Sequence, residues 1–220
     1  MSEGARVERI VTSGTFSLDG GTWDVDNNVW LVGDDAEVLV VDAAHDAAAI
    51  ADAIGGRRVV AIVLTHAHDD HIDAARDLVD RLGSASGAGP GAGPIWLASG
   101  DRMLWNRVYP SVDPDEDLIE GASFAVAGVT LQAIATPGHT PGSTCLYSVE
   151  LGVVFTGDTL FAGGPGATKR SFSHFDTIIA SIRDRLLTLP ADTVVHTGHG
   201  DDTTIGAEAP HLDEWIRRGE

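Results

Sequence analysis

Residues 64–75 read LTHAHDDHIDAA, and six of those positions, His66 to His71, hold three histidines and two aspartates. The stretch continues VVAIVL (59–64), one of the most apolar runs in the chain, which reads as a strand bound for the interior. Residues two apart in extended backbone point the same way, so His66 and His68 present their imidazoles from one side. Asp70 and His71 follow where a helix is expected to begin and can reach a neighbouring point. Nitrogen and carboxylate donors at this density suit zinc, manganese or iron. Solvated loop residues, with Asp69 and Asp70 placed to suit the helix dipole, are the alternative. That alternative would serve for one histidine and is weak for the pattern H-x-H-x-D-H.

A metal site of this kind needs further ligands, and three apolar strands elsewhere end in candidates. TPGHTPGS (136–143) places His139 after VTLQAIAT, VVFTGDTLF (153–161) places Asp158 after a glycine, and VVHTGHGDDTT (194–204) places His199. Ligands at strand ends are held rigidly, and glycine beside them permits close backbone approach.

Short β-type runs recur along the chain: RVERIV, NNVWLVG, EVLVVD, VVAIVLT, PIWLA, SFAVAG, VTLQAIAT, STCLYSV, GVVFTGD and TVVHTG. Helical spacing marks HDAAAIADAI, Asp70 to Leu82, Gly100 to Val108, FDTIIASIRDRLLTL and a final short helix over Ala207 to Arg218. Ile178, Ile179, Ile182, Leu186 and Leu189 form the clearest stripe, stopped by Pro190. Strands interleaved with helices predict an α/β fold, with residues 1–220 expected to form one domain. GSASGAGPGAGP (83–94) is low-complexity and is expected to form a surface loop away from the histidines.

The chain carries 33 acidic against 14 basic residues, a formal charge of −19. Such a surface disfavours nucleic acid and anionic membranes as partners. The single cysteine, Cys145, excludes an intramolecular disulfide and a cysteine-based metal cluster. The polar start MSEGARVERI lacks a signal-peptide core, and no apolar run approaches the roughly 20 residues of a membrane span. A cytoplasmic setting is expected, and the oligomeric state is left open.

The set His66, His68, Asp70, His71, His139, Asp158 and His199 resembles the metallo-β-lactamase superfamily, over roughly Asn27 to Glu208. TPGHTPGS, FTGDTLF and TGHGDDTTIGAE resemble its glyoxalase II-like hydrolases. The resemblance implies a four-layer αββα sandwich with two mixed β-sheets and metals at one edge. It implies two divalent metal ions, zinc first with iron or manganese as options. His66, His68 and His139 would hold one, and Asp70, His71 and His199 the other, with Asp158 between them. In this reading Asp70, His66 and His68 carry catalysis, and a bridging hydroxide cleaves a small-molecule thioester or ester. The best-known zinc β-lactamases carry cysteine where Asp158 stands, which disfavours lactam hydrolysis. Flavodiiron relatives carry glutamate where His68 stands, and the chain's acidity disfavours the polyanionic substrates of processing ribonucleases. Only 21 residues follow His199, so a short form is expected, without the helical domain that grips glutathione. A mononuclear-iron persulfide dioxygenase, a lactonase and a non-catalytic metal-binding domain are the competing readings.

Other residues have a bland reading beside a functional one. Asp69 is second to the ligands or merely solvated, Asp42 supports a ligand by hydrogen bonding, and His45 sits in the first turn of a helix. His196 is structural and Cys145 is a buried strand thiol. An insertion over 163–175 holds His174 at the expected site mouth. It also holds Lys169 and Arg170, which are either surface charge or a grip for an anionic part of the substrate.

Overall fold

A computed structural model of the chain describes residues 4–85 and 92–219. Of the low-complexity stretch 83–94, expected as a loop, residues 83–85 belong to a helix and residues 86–91 lie outside the described residues. Six β-type runs build a first sheet in chain order: β1 (Arg6–Leu18), β2 (Gly21–Gly33), β3 (Glu37–Val41), β4 (Arg58–Val63), β5 (Ile95–Leu97) and β6 (Glu116–Asp117). β1, β2 and β3 pair antiparallel, while β3 to β6 run parallel. Parallel neighbours need crossovers. Helix α1 (Ala47–Ile54) supplies the first, α2 (Asp69–Ile72) with α3 (Ala75–Ala85) the second, and α4 (Arg102–Val108) the third.

The second sheet is also mixed. It holds β7 (Ser123–Val126), β8 (Val129–Ala135), β9 (Thr144–Ser148) and β10 (Val153–Gly157). A two-stranded ribbon follows, β11 (Leu160–Phe161) with β12 (Gly164–Pro165), and then α5 (Phe175–Ser181), which runs into a wider turn at Ile182–Leu186. β13 (Val194–Thr197) returns parallel to β10, and β14 (Thr203–Thr204), α6 (Ile205–Glu208) and α7 (Leu212–Arg218) close the chain. The order across this sheet is β14-β13-β10-β9-β8-β7.

Alternation along β3 shows how the layers stack. Val38 and Val40 pack with Ile50, Ile54, Leu78 and Trp105 under the helices. Leu39 and Val41 point the other way, onto Leu131, Leu146 and Phe155 of the second sheet. Beyond that sheet, Val154 and Val195 meet Ile178, Ile182, Leu186 and Trp215. Three apolar interfaces separate four layers, the αββα sandwich. Each fully buried Val or Leu contributes about 1.5–3 kcal/mol of burial free energy, so Val38, Leu39, Val40 and Val41 make β3 a strong part of the frame.

Three sequence expectations need correction. The final helix over Ala207 to Arg218 is divided between α6 and α7 by a tighter turn at Ala209–His211 that carries Pro210. The helix over Asp70 to Leu82 is broken at Asp73–Ala74, because carbonyls needed to continue it are used elsewhere. His71 O accepts from Ala43 N at 3.0 Å, and the Tyr109 hydroxyl donates to Ile72 O at 2.9 Å and Asp73 O at 2.7 Å. The first two strands are also far longer than RVERIV and NNVWLVG. They pair from Arg6 opposite Gly33 to Leu18 opposite Gly21, through a two-residue turn at Asp19 and Gly20, both at positive φ. Asp-Gly suits that turn, since both central residues must adopt left-handed backbone. The resulting hairpin arm, Thr12 to Asp26, reaches the site.

No helix among the described residues is long and apolar enough to cross a membrane.

Candidate metal centre

The seven residues singled out in the sequence converge where strand ends of both sheets meet. β4 ends in the turn that carries His66 and His68, and α2 begins at once with Asp69, Asp70 and His71. The loop after β8 brings His139, the turn after β10 brings Asp158, and the turn after β13 brings His199. In each of three groups the donor atoms lie within 4.8 Å of one another: His66 with His68 and His139, His66 with His71 and Asp158, and Asp70 with His71 and His199.

Within the first group, His68 Nδ1 lies 3.1 Å from His66 Nε2 and 3.0 Å from His139 Nε2. Within the last, His71 Nε2 lies 3.2 Å from His199 Nε2, and His199 Nε2 lies 3.3 Å from Asp70 Oδ2. Asp158 faces both: Oδ1 is 3.3 Å from His71 Nε2, and Oδ2 is 3.4 Å from His199 Nε2 and 3.6 Å from His139 Nε2.

Four of the imidazoles are oriented from behind. His71 Nδ1 meets Asp42 Oδ2 at 2.9 Å, His139 Nδ1 meets Ala167 O at 3.0 Å, and His199 Nδ1 meets Asp26 O at 2.8 Å. His66 Nδ1 meets Thr65 Oγ1 at 3.1 Å, and that hydroxyl donates to Asp42 at 2.9 Å. Oxygen acceptors fix the proton on Nδ1 and turn the Nε2 lone pair inward, as in metal-ligating histidines. Lone pairs facing each other at 3.2 Å repel unless a cation lies among them. Asp70 Oδ1 and Asp158 Oδ1 are buried with no hydrogen-bond partner. Orphaned carboxylate oxygens beside inward-facing imidazoles fit a divalent metal.

The electrostatics agree. Burial, reinforced by neighbouring histidines, holds His66 well below its usual value and His68 down at about 3, so both imidazoles are neutral, the form a metal takes. Burial lowers His139 too. Burial would also lower His71 and His199, but carboxylates reverse it: Asp70, Asp158 and Asp42 hold His71 well above the usual range, and Asp158 leads in raising His199 to about 10. Asp158 stays ionised, because His199 and His71 outweigh its burial. Protons are drawn to the same negative potential that would draw a cation.

The remaining candidates separate. Asp42, at φ 61, stands behind the cluster; its carboxylate braces His71 and the Thr65 turn, as the sequence suggested. Asp69 accepts from Ser17 N at 3.1 Å with each oxygen, tying the hairpin arm to α2. His45 is not in the first turn of a helix. It precedes the Asp46 cap of α1 at φ 60, and its Nε2 lies 2.9 Å from Asn27 Oδ1. Asn27 Nδ2 in turn donates to Asp70 Oδ2 at 3.1 Å. His196 stacks on Trp30 at 4.3 Å and bonds Asp202, away from the cluster. Cys145 is a buried thiol on β9. His174 precedes α5 and bonds Thr177.

Sequence reasoning missed Asp101, Asn27 and the hairpin arm. Asp101, fully buried, receives Thr140 Oγ1 at 2.7 Å, Gly142 N at 2.6 Å and Ala67 N at 2.9 Å. It clamps the His139 loop to the His66–His68 turn, yet in sequence it is one acid among 33. Beside the cluster lies a cavity of about 200 Å³, lined by five of the seven cluster residues with Phe16, Val25, Phe161, Ala167 and Arg170. Phe16 and Val25 come from the hairpin arm, and the Asp19–Gly20 turn was the signal for it.

Residues 22–199 match the family model of the metallo-beta-lactamase superfamily, and the chain belongs to that superfamily. It is 35% identical over 160 residues to the hydroxyacylglutathione hydrolase GloC of Haemophilus influenzae, covering 67% of this chain and 71% of that one. Among solved structures it is similar to TTHA1623 in a di-iron-bound form, at 31% identity and TM-score 0.70, covering 84% and 93% of the two chains. It is also similar to BLEG-1 B3 metallo-beta-lactamase, at 28% identity and TM-score 0.74, covering 91% and 98%.

Proposed function

We propose that this chain is a metal-dependent hydrolase that cleaves a small thioester or ester at a binuclear centre, akin to the glyoxalase II-like branch of its superfamily. In this reading His66, His68 and His139 hold one divalent cation, Asp70, His71 and His199 hold the second, and Asp158 lies between them. The observation that carries the reading is the placement of Asp158, whose two oxygens face histidines of both groups at 3.3–3.6 Å. Cations bound there would acidify water and polarise a carbonyl. Zinc is the first choice, and the likeness to a di-iron protein supports iron as the other.

The chain's own residues do the rest. Asp42, Ala167 and Asp26 hold the imidazoles in the tautomer that ligates, and Asn27 orients Asp70. Phe16, Val25 and Phe161 give the cavity an apolar wall that takes an acyl chain and excludes water from part of its surface. The likeness to GloC supports a thioester as substrate.

The test is metal content together with a substrate panel. Purified protein should hold two equivalents of metal per chain and cleave a thioester, and Asp70→Ala should abolish cleavage while the fold persists. A single iron with oxygen consumption on a persulfide would replace this reading with the dioxygenase. Turnover of a lactone or lactam in preference to thioesters would move the substrate class.

A further inference from the structure

Arg170, on the 163–175 segment, lies over the Trp23 ring at 3.9 Å from its centroid and over Phe16 at 5.3 Å. Phe16 and Trp23 stack on each other at 5.8 Å, and Phe16 packs on the His68 imidazole at 5.0 Å. A guanidinium, two aromatic rings and a residue of the metal cluster thus form one contiguous row. We propose that Arg170 is the specificity-determining residue of the cavity and binds a carboxylate carried by the substrate. The proposal rests on the hydrolase reading above and narrows its substrate to an anionic thioester or ester.

Four observations carry it. Arg170 is the one Lys or Arg among the residues lining the cavity of the cluster, in a chain of formal charge −19. A negative surface repels an anionic substrate, so recognition of one needs a local reversal of sign, and Arg170 supplies it at the mouth. Next, among the described residues no carboxylate lies within ion-pair distance of its guanidinium; its ring contacts are to Trp23 and Phe16, and the nearby Asp19 carboxylate, which feels its charge, is itself bonded to Ser171 N at 2.9 Å. Attraction to a ring takes up no hydrogen-bond acceptor, so it leaves the guanidinium N–H donors, whose fork matches a carboxylate.

Third, the segment has other anchors, so Arg170 is not required to hold it in place. Ser171 N donates to Asp19 Oδ2 at 2.9 Å, His174 N donates to Gly138 O at 2.7 Å, and Ala167 O meets His139 Nδ1 at 3.0 Å. Fourth, the rings restrict the long side chain before any ligand arrives, which reduces the entropy lost on binding. Phe16, Val25 and Phe161 then offer apolar surface for the carbons between the reacting carbonyl and the carboxylate.

The test uses two thioethers of equal length, which cannot be hydrolysed, one ending in a carboxylate and the other in a carboxamide. Calorimetry on the metal-loaded protein should show the carboxylate binding at least tenfold tighter to the wild type. R170Q should bring the two within about twofold, and R170K should restore part of the preference. R170M serves as the neutral variant should R170Q lose its melting transition. Binding is read without turnover, so a protein that cleaves no thioester still reports on Arg170, and a failed preference leaves thioester cleavage standing. A preference that survives R170Q would place the carboxylate on the cations and overturn the proposal. Equal affinity of the wild type for both thioethers, or affinity for neither, would overturn it as well.

Discussion

Gly198 lies against Asp158 so closely that a Cβ on the glycine would sit 2.3 Å from Asp158 Oδ1 and 2.8 Å from His71 Cε1. The two turns that carry Asp158 and His199 are also joined by Gly198 N donating to Gly157 O at 2.9 Å. A side chain at 198 would push into the carboxylate that faces both groups of histidines. Gly198→Ala is therefore expected to lower metal occupancy by at least half and activity by at least tenfold, with the far-ultraviolet dichroism unchanged. Elemental analysis of the purified variant checks this, and full occupancy would contradict it.

Asp42 acts through His71. Its carboxylate fixes the His71 tautomer at 2.9 Å and receives Thr65 N at 2.8 Å. Outer partners of this kind are worth about 10–100-fold in metal affinity. Asp42→Asn, which tolerates the left-handed backbone at φ 61, should weaken metal binding by about that factor in a chelator competition.

Asp101 should matter for stability before chemistry. Replacing it with alanine leaves Thr140 Oγ1, Gly142 N and Ala67 N without the acceptor they share. Three buried hydrogen bonds at about 1 kcal/mol each predict a loss of about 3 kcal/mol. For a chain of this size that is a fall in Tm of about 6–12 °C, measurable by calorimetry. Activity at a temperature where the variant is folded should also drop, because the clamp joins the His139 loop to the His66–His68 turn.

Burial pushes the Cys145 thiol up to about 11, with Thr136 Oγ1 at 3.2 Å. The thiolate is the reactive form, so native protein at pH 8 should resist iodoacetamide while unfolded protein reacts fully. The raised value also sets the sign of the pH effect: the neutral thiol favours the fold, and its contribution is lost as pH rises from about 9 towards 11. Mass spectrometry of labelled protein reads the first effect directly.

The sequence exposed the site because ligand chemistry is local in type and its positions fall at strand ends. H-x-H-x-D-H, TPGHT and FTGD each carry their residue on a turn after an apolar run, so the seven candidates could be found without coordinates. All seven come together. The supports were harder to see. Asp101 and Asn27 act through contacts to residues 34 to 43 positions away, and no local pattern marks them among the other polar residues. The hairpin arm leaves little trace in the sequence because residues 12–26 are mostly polar and small with few apolar ones, and only the Asp19–Gly20 turn marks the reversal. The break after α2 was invisible for the same reason as Asp101: Tyr109, which takes its carbonyls, lies 36 and 37 positions away.

The central claim is two cations on seven ligands, and metal stoichiometry of the wild type beside Asp158→Ala tests it most directly. The account predicts two equivalents per chain in the wild type, and loss of metal together with thioester cleavage in the variant. One equivalent in the wild type, or two equivalents with full activity in Asp158→Ala, would contradict it.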